Sequence, residues 1–200
     1  MVYRIFDDMK QCSEDEVRRM LARMPQQRRD KALRFKHLFG QYACLKSYEM
    51  LHQLMKEEGL CSEQDELLFC CSEHGKPFLP AFPQVHFNIS HCKNALAVAL
   101  DSHPVGIDVE RFTFPQKTLL DYTMNAQEVE QVCQSATPDQ TFAVLWTRKE
   151  ALFKCFGTGI TDDIKDTLTH HGTDVEMRTL VCPDKQYACS IAYQHTCHSN

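Results

Sequence analysis

The sequence predicts an α+β protein. Three observations carry this: helical periodicity dominates to about residue 58, strand-like runs replace it from about residue 67, and the stretch after residue 104 mixes the two in a different order. At 200 residues, 43% of them hydrophobic, the chain can bury one sizeable core or two small ones.

The first helix is announced by Ser13-Glu14-Asp15-Glu16, an N-cap hydroxyl followed three residues on by a carboxylate. Val17, Met20, Leu21 and Met24 supply its buried stripe, and Pro25 ends it. Helical pattern resumes over 28–36 and again over 41–58, where Leu45, Leu51, Leu54 and Met55 are apolar and Gly59 stops the run. Strands follow at 67–71, 85–89 and 95–100, with a turn at Glu73-His74-Gly75-Lys76-Pro77. Asp101-Ser102-His103-Pro104 breaks the chain near its middle. Beyond it come a strand at 105–110, a short helix opened by Asn125 with Glu128, and a long helix from Thr137-Pro138-Asp139-Gln140 to Phe156, closed by Gly157. Two β-rich segments, 175–181 and 187–193, complete the pattern. No low-complexity linker separates the halves, so they should pack tightly.

Composition excludes several functional classes. No run approaches the 18 apolar residues of a membrane span, and the start lacks the charged-then-apolar order of a signal peptide, so a cytoplasmic location without membrane association is expected. The 11 cysteines are scattered among regular elements and read as reduced thiols, and Cys61, Cys70, Cys71 and His74 lack a Cys-x-x-Cys pair for zinc. A net charge of −5 argues against a nucleic-acid partner. The charge is uneven, however: Arg18, Arg19, Arg23, Arg28, Arg29, Lys31, Arg34 and Lys36 face only Asp30 between residues 18 and 36. That segment is either a solvated face or a docking surface for an acidic partner or a nucleotide phosphate.

The chemistry-bearing residues cluster in two motifs. Asp108 and Glu110, two apart in Gly106-Ile107-Asp108-Val109-Glu110, project from one face of a strand. Glu150 and Lys154 stand one turn apart on the long helix, between bulky Trp146 and Phe153. If strand and helix pack together, three carboxylates and an ammonium converge, a workable arrangement for Mg²⁺ and a phosphate-bearing substrate. Taken separately, each motif also reads as an ordinary solvated face. Lys76 at the tip of the Gly75-Lys76-Pro77 turn and Ser90-His91 at a strand end suit phosphate contacts. A Ser90–His91 nucleophile and base pair is excluded, because neighbours on a strand point to opposite faces.

In order along the chain, Gly75-Lys76-Pro77, Asn88-Ile89-Ser90-His91, Gly106-Ile107-Asp108-Val109-Glu110 and the stretch from Trp146 through Lys149, Glu150 and Lys154 resemble the signature motifs of 4′-phosphopantetheinyl transferases of the surfactin-synthetase-activating type. The resemblance extends loosely over nearly the whole chain, including the basic segment 28–36. It implies a monomer of two similar α/β halves, here 1–104 and 105–200, related by a pseudo-twofold axis. Coenzyme A would lie in the cleft between them, and Mg²⁺ would be held by Asp108, Glu110 and Glu150.

The implied reaction moves the phosphopantetheine arm of coenzyme A to a serine of an apo acyl or peptidyl carrier protein, releasing adenosine 3′,5′-bisphosphate. In that reading Glu150 is the candidate base, Lys154 and His91 offset charge on the pyrophosphate, and Arg28, Lys31, Lys76, Ser90, His91 and Lys154 hold coenzyme A. Two other readings use the same acids: a Mg²⁺-dependent nucleotide phosphohydrolase, and a non-catalytic module binding carrier protein or nucleotide.

Overall fold

In the computed structural model, which describes residues 1–159, 162–170 and 174–194, the chain begins with an element its sequence did not advertise, β1 (Val2–Phe6). After a 3₁₀ turn at Met9–Gln11, α1 (Glu14–Arg23) starts at Ser13, whose hydroxyl accepts from the Glu16 N–H at 3.2 Å. Pro25 separates it from α2 (Gln26–Leu33), which begins and ends earlier than its sequence pattern. α3 (Leu38–Glu57) follows and ends at Glu58, with Gly59 in the left-handed region at φ 68°.

The expected strand over 67–71 shrinks to β2 (Cys70–Cys71), which pairs with β3 (Pro77–Phe78) across the turn at Gly75. Gly75 adopts φ 80°, the conformation that reserves the position for glycine. The segment before β2 is not in a ladder: Leu67 is buried, with its N–H donating to the Tyr48 hydroxyl at 3.0 Å. Then come β4 (His86–His91), β5 (Leu96–Asp101) and β6 (Val105–Arg111).

The second half contains α4 (Lys117–Thr123), which was not expected, and α5 (Ala126–Gln134) with the full reciprocal cap between Asn125 and Glu128. α6 (Pro138–Phe156) has proline in its first turn and ends at Gly157, φ 72°. The Thr137 side chain does not cap it. Instead the Thr141 hydroxyl donates to the Thr137 carbonyl at 3.1 Å. A 3₁₀ turn at Asp162–Lys165 and α7 (Thr167–His170) precede β7 (Val175–Cys182) and β8 (Tyr187–Gln194).

Two three-stranded antiparallel sheets organise these elements. Their orders are β1-β5-β4 and β6-β8-β7, so each sheet places its last strand between its first and its second. In each, a long helix, α3 or α6, follows the first strand. Alternation along the central strands explains the layering. Leu96, Val98 and Leu100 of β5 join the core beneath α1–α3, whereas Ala95, Ala97 and Ala99 pack against Ile107, Val109, Cys189 and Ile191 of the other sheet. The faces of both sheets turned toward each other thus form one shared core, and each helical layer covers an outer face. Among the described residues no helix is long and apolar enough to cross a membrane, and the ten cysteines there are all free thiols.

Candidate active site

Gly106 determines how closely the second half's strand and helix approach. A Cβ at this position would sit 2.0 Å from the Ala151 carbonyl oxygen and 2.3 Å from the Cys155 nitrogen. Only a residue without a side chain lets α6 lie against β6 at this distance. Residues 106, 108 and 110 share that face of the strand, so Asp108 and Glu110 are presented to the same helix that carries Glu150 and Lys154.

Lys154 Nζ donates to Asp108 Oδ1 at 2.5 Å and to Ser90 Oγ at 3.2 Å. Ser90 Oγ in turn donates to Asp108 Oδ1 at 2.8 Å and accepts from the Val109 N–H at 3.2 Å. Two residues earlier, Asn88 Oδ1 accepts from the Ile107 N–H at 3.0 Å. β4 and β6 belong to different sheets and share no backbone ladder. Alternate side chains of β4 therefore satisfy the outward amides of β6, and this fixes the register of one half against the other.

The carboxylates are not neutralised by these contacts. Asp108 is 4% exposed, and its Oδ2 is buried without a partner among the described residues. Burial, then the charge of Asp108, pushes the Glu110 carboxyl up to about 7, with Lys154 offsetting part of the rise. Glu150 is raised by the same two causes in the same order. Three acids against one ammonium leave the cluster short of positive charge. Among the described residues no three His, Cys, Asp or Glu side chains are already gathered as a cage. The donor set nevertheless fits Mg²⁺, which takes carboxylate oxygens and keeps several waters.

A cleft of about 310 Å³ opens beside the cluster, lined by Gly75, Lys76, Asn88, Glu150, Phe153 and Lys154 among others. Lys76 reaches across from the first half and donates to the Val105 carbonyl at 3.2 Å and the Cys155 carbonyl at 3.0 Å, meeting the C-terminal end of α6. Burial lowers its pKa. His91 ends β4 with its ring edge-on to Phe39, centroids 5.9 Å apart. Burial chiefly, and the Lys154 ammonium further, hold its pKa below the ordinary imidazole value. It stands there as a neutral hydrogen-bonding group.

The structure thus brings Ser90, His91, Asp108, Glu110, Glu150 and Lys154 together, with Lys76 on the same cleft. Arg28 and Lys31 do not line it. Arg28 is buried between α2 and α3, its guanidinium 4.1 Å from the Phe69 ring centroid and 5.1 Å from that of Tyr48, and it donates to Cys44 Sγ at 3.4 Å. Lys31 is exposed on α2.

Sequence reasoning missed three positions. Gly106 had a legible signal, a glycine inside a strand. Asn88 had one as well, since it shares a face with Ser90. Lys149 did not, because the residue beside Glu150 reads as solvated. It is fully buried and donates to Glu128 Oε2 at 2.6 Å and to the carbonyls of Thr123, Ile164 and Lys165 at 2.8–2.9 Å. This pins α4, α5 and the turn at 162–165 to the side of α6 away from the cleft.

An α+β protein whose two sheets meet at a carboxylate–ammonium cluster is the class defined by these elements. Comparison with known proteins agrees and is more specific. Residues 104–197 match the 4′-phosphopantetheinyl transferase superfamily. A 4′-phosphopantetheinyl transferase of Bacillus subtilis is 31% identical over 193 residues, covering 95% of this chain and 84% of that protein. The 4′-phosphopantetheinyl transferase Sfp of Bacillus subtilis strain 168 is 26% identical over 192 residues, with the same coverage. The 4′-phosphopantetheinyl transferase gsp of Aneurinibacillus migulanus is 35% identical over 98 residues, 48% of this chain and 40% of that protein. The chain belongs to the 4′-phosphopantetheinyl transferase family.

Proposed function

We propose that the protein transfers the 4′-phosphopantetheine arm of coenzyme A to a serine of an apo acyl or peptidyl carrier protein, with Mg²⁺, and releases adenosine 3′,5′-bisphosphate. The observation that carries this reading is the cluster of Asp108, Glu110, Glu150 and Lys154 beside a cleft to which the other half contributes Lys76 and Asn88, with Ser90 of that half hydrogen-bonded to Asp108.

Mg²⁺, held by Asp108, Glu110 and Glu150, would supply neutralisation of the pyrophosphate charge. The remaining work falls to the chain's own groups. The serine oxygen forms a bond to the phosphorus that bears pantetheine as the bond from that phosphorus to the bridging oxygen breaks, and adenosine 3′,5′-bisphosphate departs. The serine proton passes to Glu150, the carboxylate of the cluster that lines the cleft. Lys154 lies beside Asp108 and meets the charge that grows on the departing phosphate. Lys76 and His91 orient the nucleotide phosphates from the first half, His91 as a neutral donor.

Lys31, exposed on α2, belongs to this reading as a contact at the far end of coenzyme A, outside the 310 Å³ cleft, whereas Arg28, buried against Phe69 and Tyr48, is withdrawn from the contact set. The identical strand orders of the two sheets support a division at 104/105 and a pseudo-twofold relation between the halves. We further take the protein to act as a monomer in the cytoplasm, with no nucleic-acid partner at a net charge of −5.

Incubation with coenzyme A, Mg²⁺ and a panel of apo carrier proteins tests the proposal, with the added arm read by intact mass. Steady hydrolysis of coenzyme A without any carrier, and no mass gain on any carrier, would replace the transferase with a phosphohydrolase.

A further inference from the structure

Two successive thiols, Cys70 and Cys71, make up the whole of β2, and both are exposed. On an extended strand their side chains point to opposite faces, so in the hairpin the two sulfurs do not share a ligand. The ladder that holds them extended is weak. It consists of the pairs Cys70↔Phe78 and Cys71↔Pro77, and Pro77 has no N–H to give. A hairpin this short is marginal by itself.

The pair is held unequally on its two sides. Upstream, Phe69 is clamped: its N–H donates to Gln27 Oε1 at 2.9 Å, Gln27 Nε2 donates to its carbonyl at 3.2 Å, and its ring meets that of Phe87 edge-on at 5.4 Å between centroids. Downstream, Ser72 shapes the turn. Its N–H donates to the Lys76 carbonyl at 2.9 Å, its hydroxyl accepts from the Lys76 N–H at 3.1 Å, and its carbonyl accepts from the Gly75 N–H at 2.9 Å. Lys76 in turn lines the cleft, with its ammonium on the Val105 and Cys155 carbonyls. A change of backbone at residues 70–71 is therefore resisted at Phe69 and passes to Ser72, and through Ser72 to Lys76.

We propose that Cys70 and Cys71 form a dithiol site for a trivalent arsenic centre, and that binding there withdraws Lys76 from the cleft. An organic arsenoxide is the simplest such ligand. Each thiol sulfur forms a bond to arsenic, the bonds from arsenic to oxygen break, and the oxygen leaves as water with the two thiol protons. Arsenic stays trivalent and sulfur keeps its oxidation state, so no oxidant takes part. Both sulfurs must come to one side of the chain to reach one arsenic atom. The extended backbone does not allow this, so the ladder opens as the ring closes. The effect on coenzyme A, as distinct from the site itself, rests on the proposed role of Lys76 as a phosphate contact.

The test treats the reduced full-length protein with phenylarsine oxide and reads adducts by intact mass after a wash with excess monothiol, which strips arsenic held by one sulfur only. The wild type should keep a single adduct and release it to dithiothreitol. Cys70→Ser and Cys71→Ser, both at exposed positions, should fold and lose the adduct, whereas Cys133→Ser, at another exposed thiol, should keep it. The adduct should weaken coenzyme A binding by roughly tenfold or more, the loss of one charge-assisted contact, and dithiothreitol should restore it. In Lys76→Ala the adduct should form as before and change coenzyme A affinity little. An adduct that survives in both serine variants, or none that resists monothiol in the wild type, would overturn the site. A wild-type adduct with unchanged coenzyme A affinity would overturn the withdrawal of Lys76. Untreated protein that does not bind coenzyme A would instead sink the proposed function, and the mass measurement would still decide the dithiol site.

Discussion

At Asp108 and Glu150 a single substitution carries a sharp expectation. Asp108→Ala removes the partner of Lys154 and of Ser90, and Glu150→Ala removes the proposed base. Each should lower transfer by roughly 100-fold or more, while the melting temperature shows the fold retained; near wild-type turnover of either variant at limiting Mg²⁺ would remove the three-carboxylate site. Glu110 adds a pH dependence. Its carboxyl is raised from 4.5 to about 7, so between those values the folded protein holds a proton that the unfolded chain has released. Without metal, its contribution to stability is present below about 4.5 and is lost as pH rises through about 7. A cation needs the ionised form, so binding below pH 7 must expel that proton. The gain in melting temperature on replacing EDTA with Mg²⁺ should therefore be larger at pH 8 than at pH 5.5. Equal gains at both values would show that Glu110 does not face the metal.

At the scale of elements, the site depends on how β6 and α6 meet, and Gly106 controls that meeting. Gly106→Ala would put a methyl group 2.0 Å from the Ala151 carbonyl, against backbone that cannot swing aside as a side chain could. The helix must move off the strand, carrying Glu150 and Lys154 away from Asp108 and Glu110. Overpacking of this kind costs roughly 1–3 kcal/mol or more, and activity should fall further than stability alone explains. A variant with wild-type melting temperature and wild-type turnover would show that the close approach is dispensable. This dependence also explains what could be read in the chain beforehand. The Asp108–Glu110 spacing and the Glu150–Lys154 spacing follow from the periods of strand and helix, and Ser13, Asn125, Pro138 and Gly157 mark helix ends by local chemistry, so those features were legible. β1 was not, because Val2–Phe6 is a half-exposed edge strand that acquires its identity only by pairing with β5. The burial of Lys149 and of Arg28 was hidden for a similar reason: their partners lie far off in sequence, or, for Arg28, are aromatic faces and a thiol rather than an acid.

For the whole molecule, the uneven charge of an acidic chain bears on how a carrier protein would approach. The sequence suggested the basic segment 18–36 as a solvated face or a docking surface, and within it Arg18, Arg19 and Arg23 pair with Asp15, Glu16 and Glu49 at 3.4, 2.7 and 2.5 Å. These arginines present less net charge than their number implies. Arg34 and Lys36 differ: both are exposed, and neither forms an ion pair among the described residues. They lie on the connector into α3, the helix whose Phe39 stands edge-on to the His91 ring. An acidic carrier should be steered by this connector, a long-range effect that acts mainly on the association rate and is screened within about 8–10 Å at physiological salt. Rising ionic strength should then raise the KM for carrier more than that for coenzyme A. Reversal of Arg34 and Lys36 to Glu should raise the carrier KM several-fold at low salt and flatten its salt dependence, whereas reversal of Arg18 and Arg19 should do much less. Steady-state rates with apo carrier protein across an ionic-strength series decide the matter. A carrier KM that ignores both salt and the Arg34/Lys36 reversal would assign docking to an apolar surface, leaving the carboxylate cluster and its chemistry as they stand.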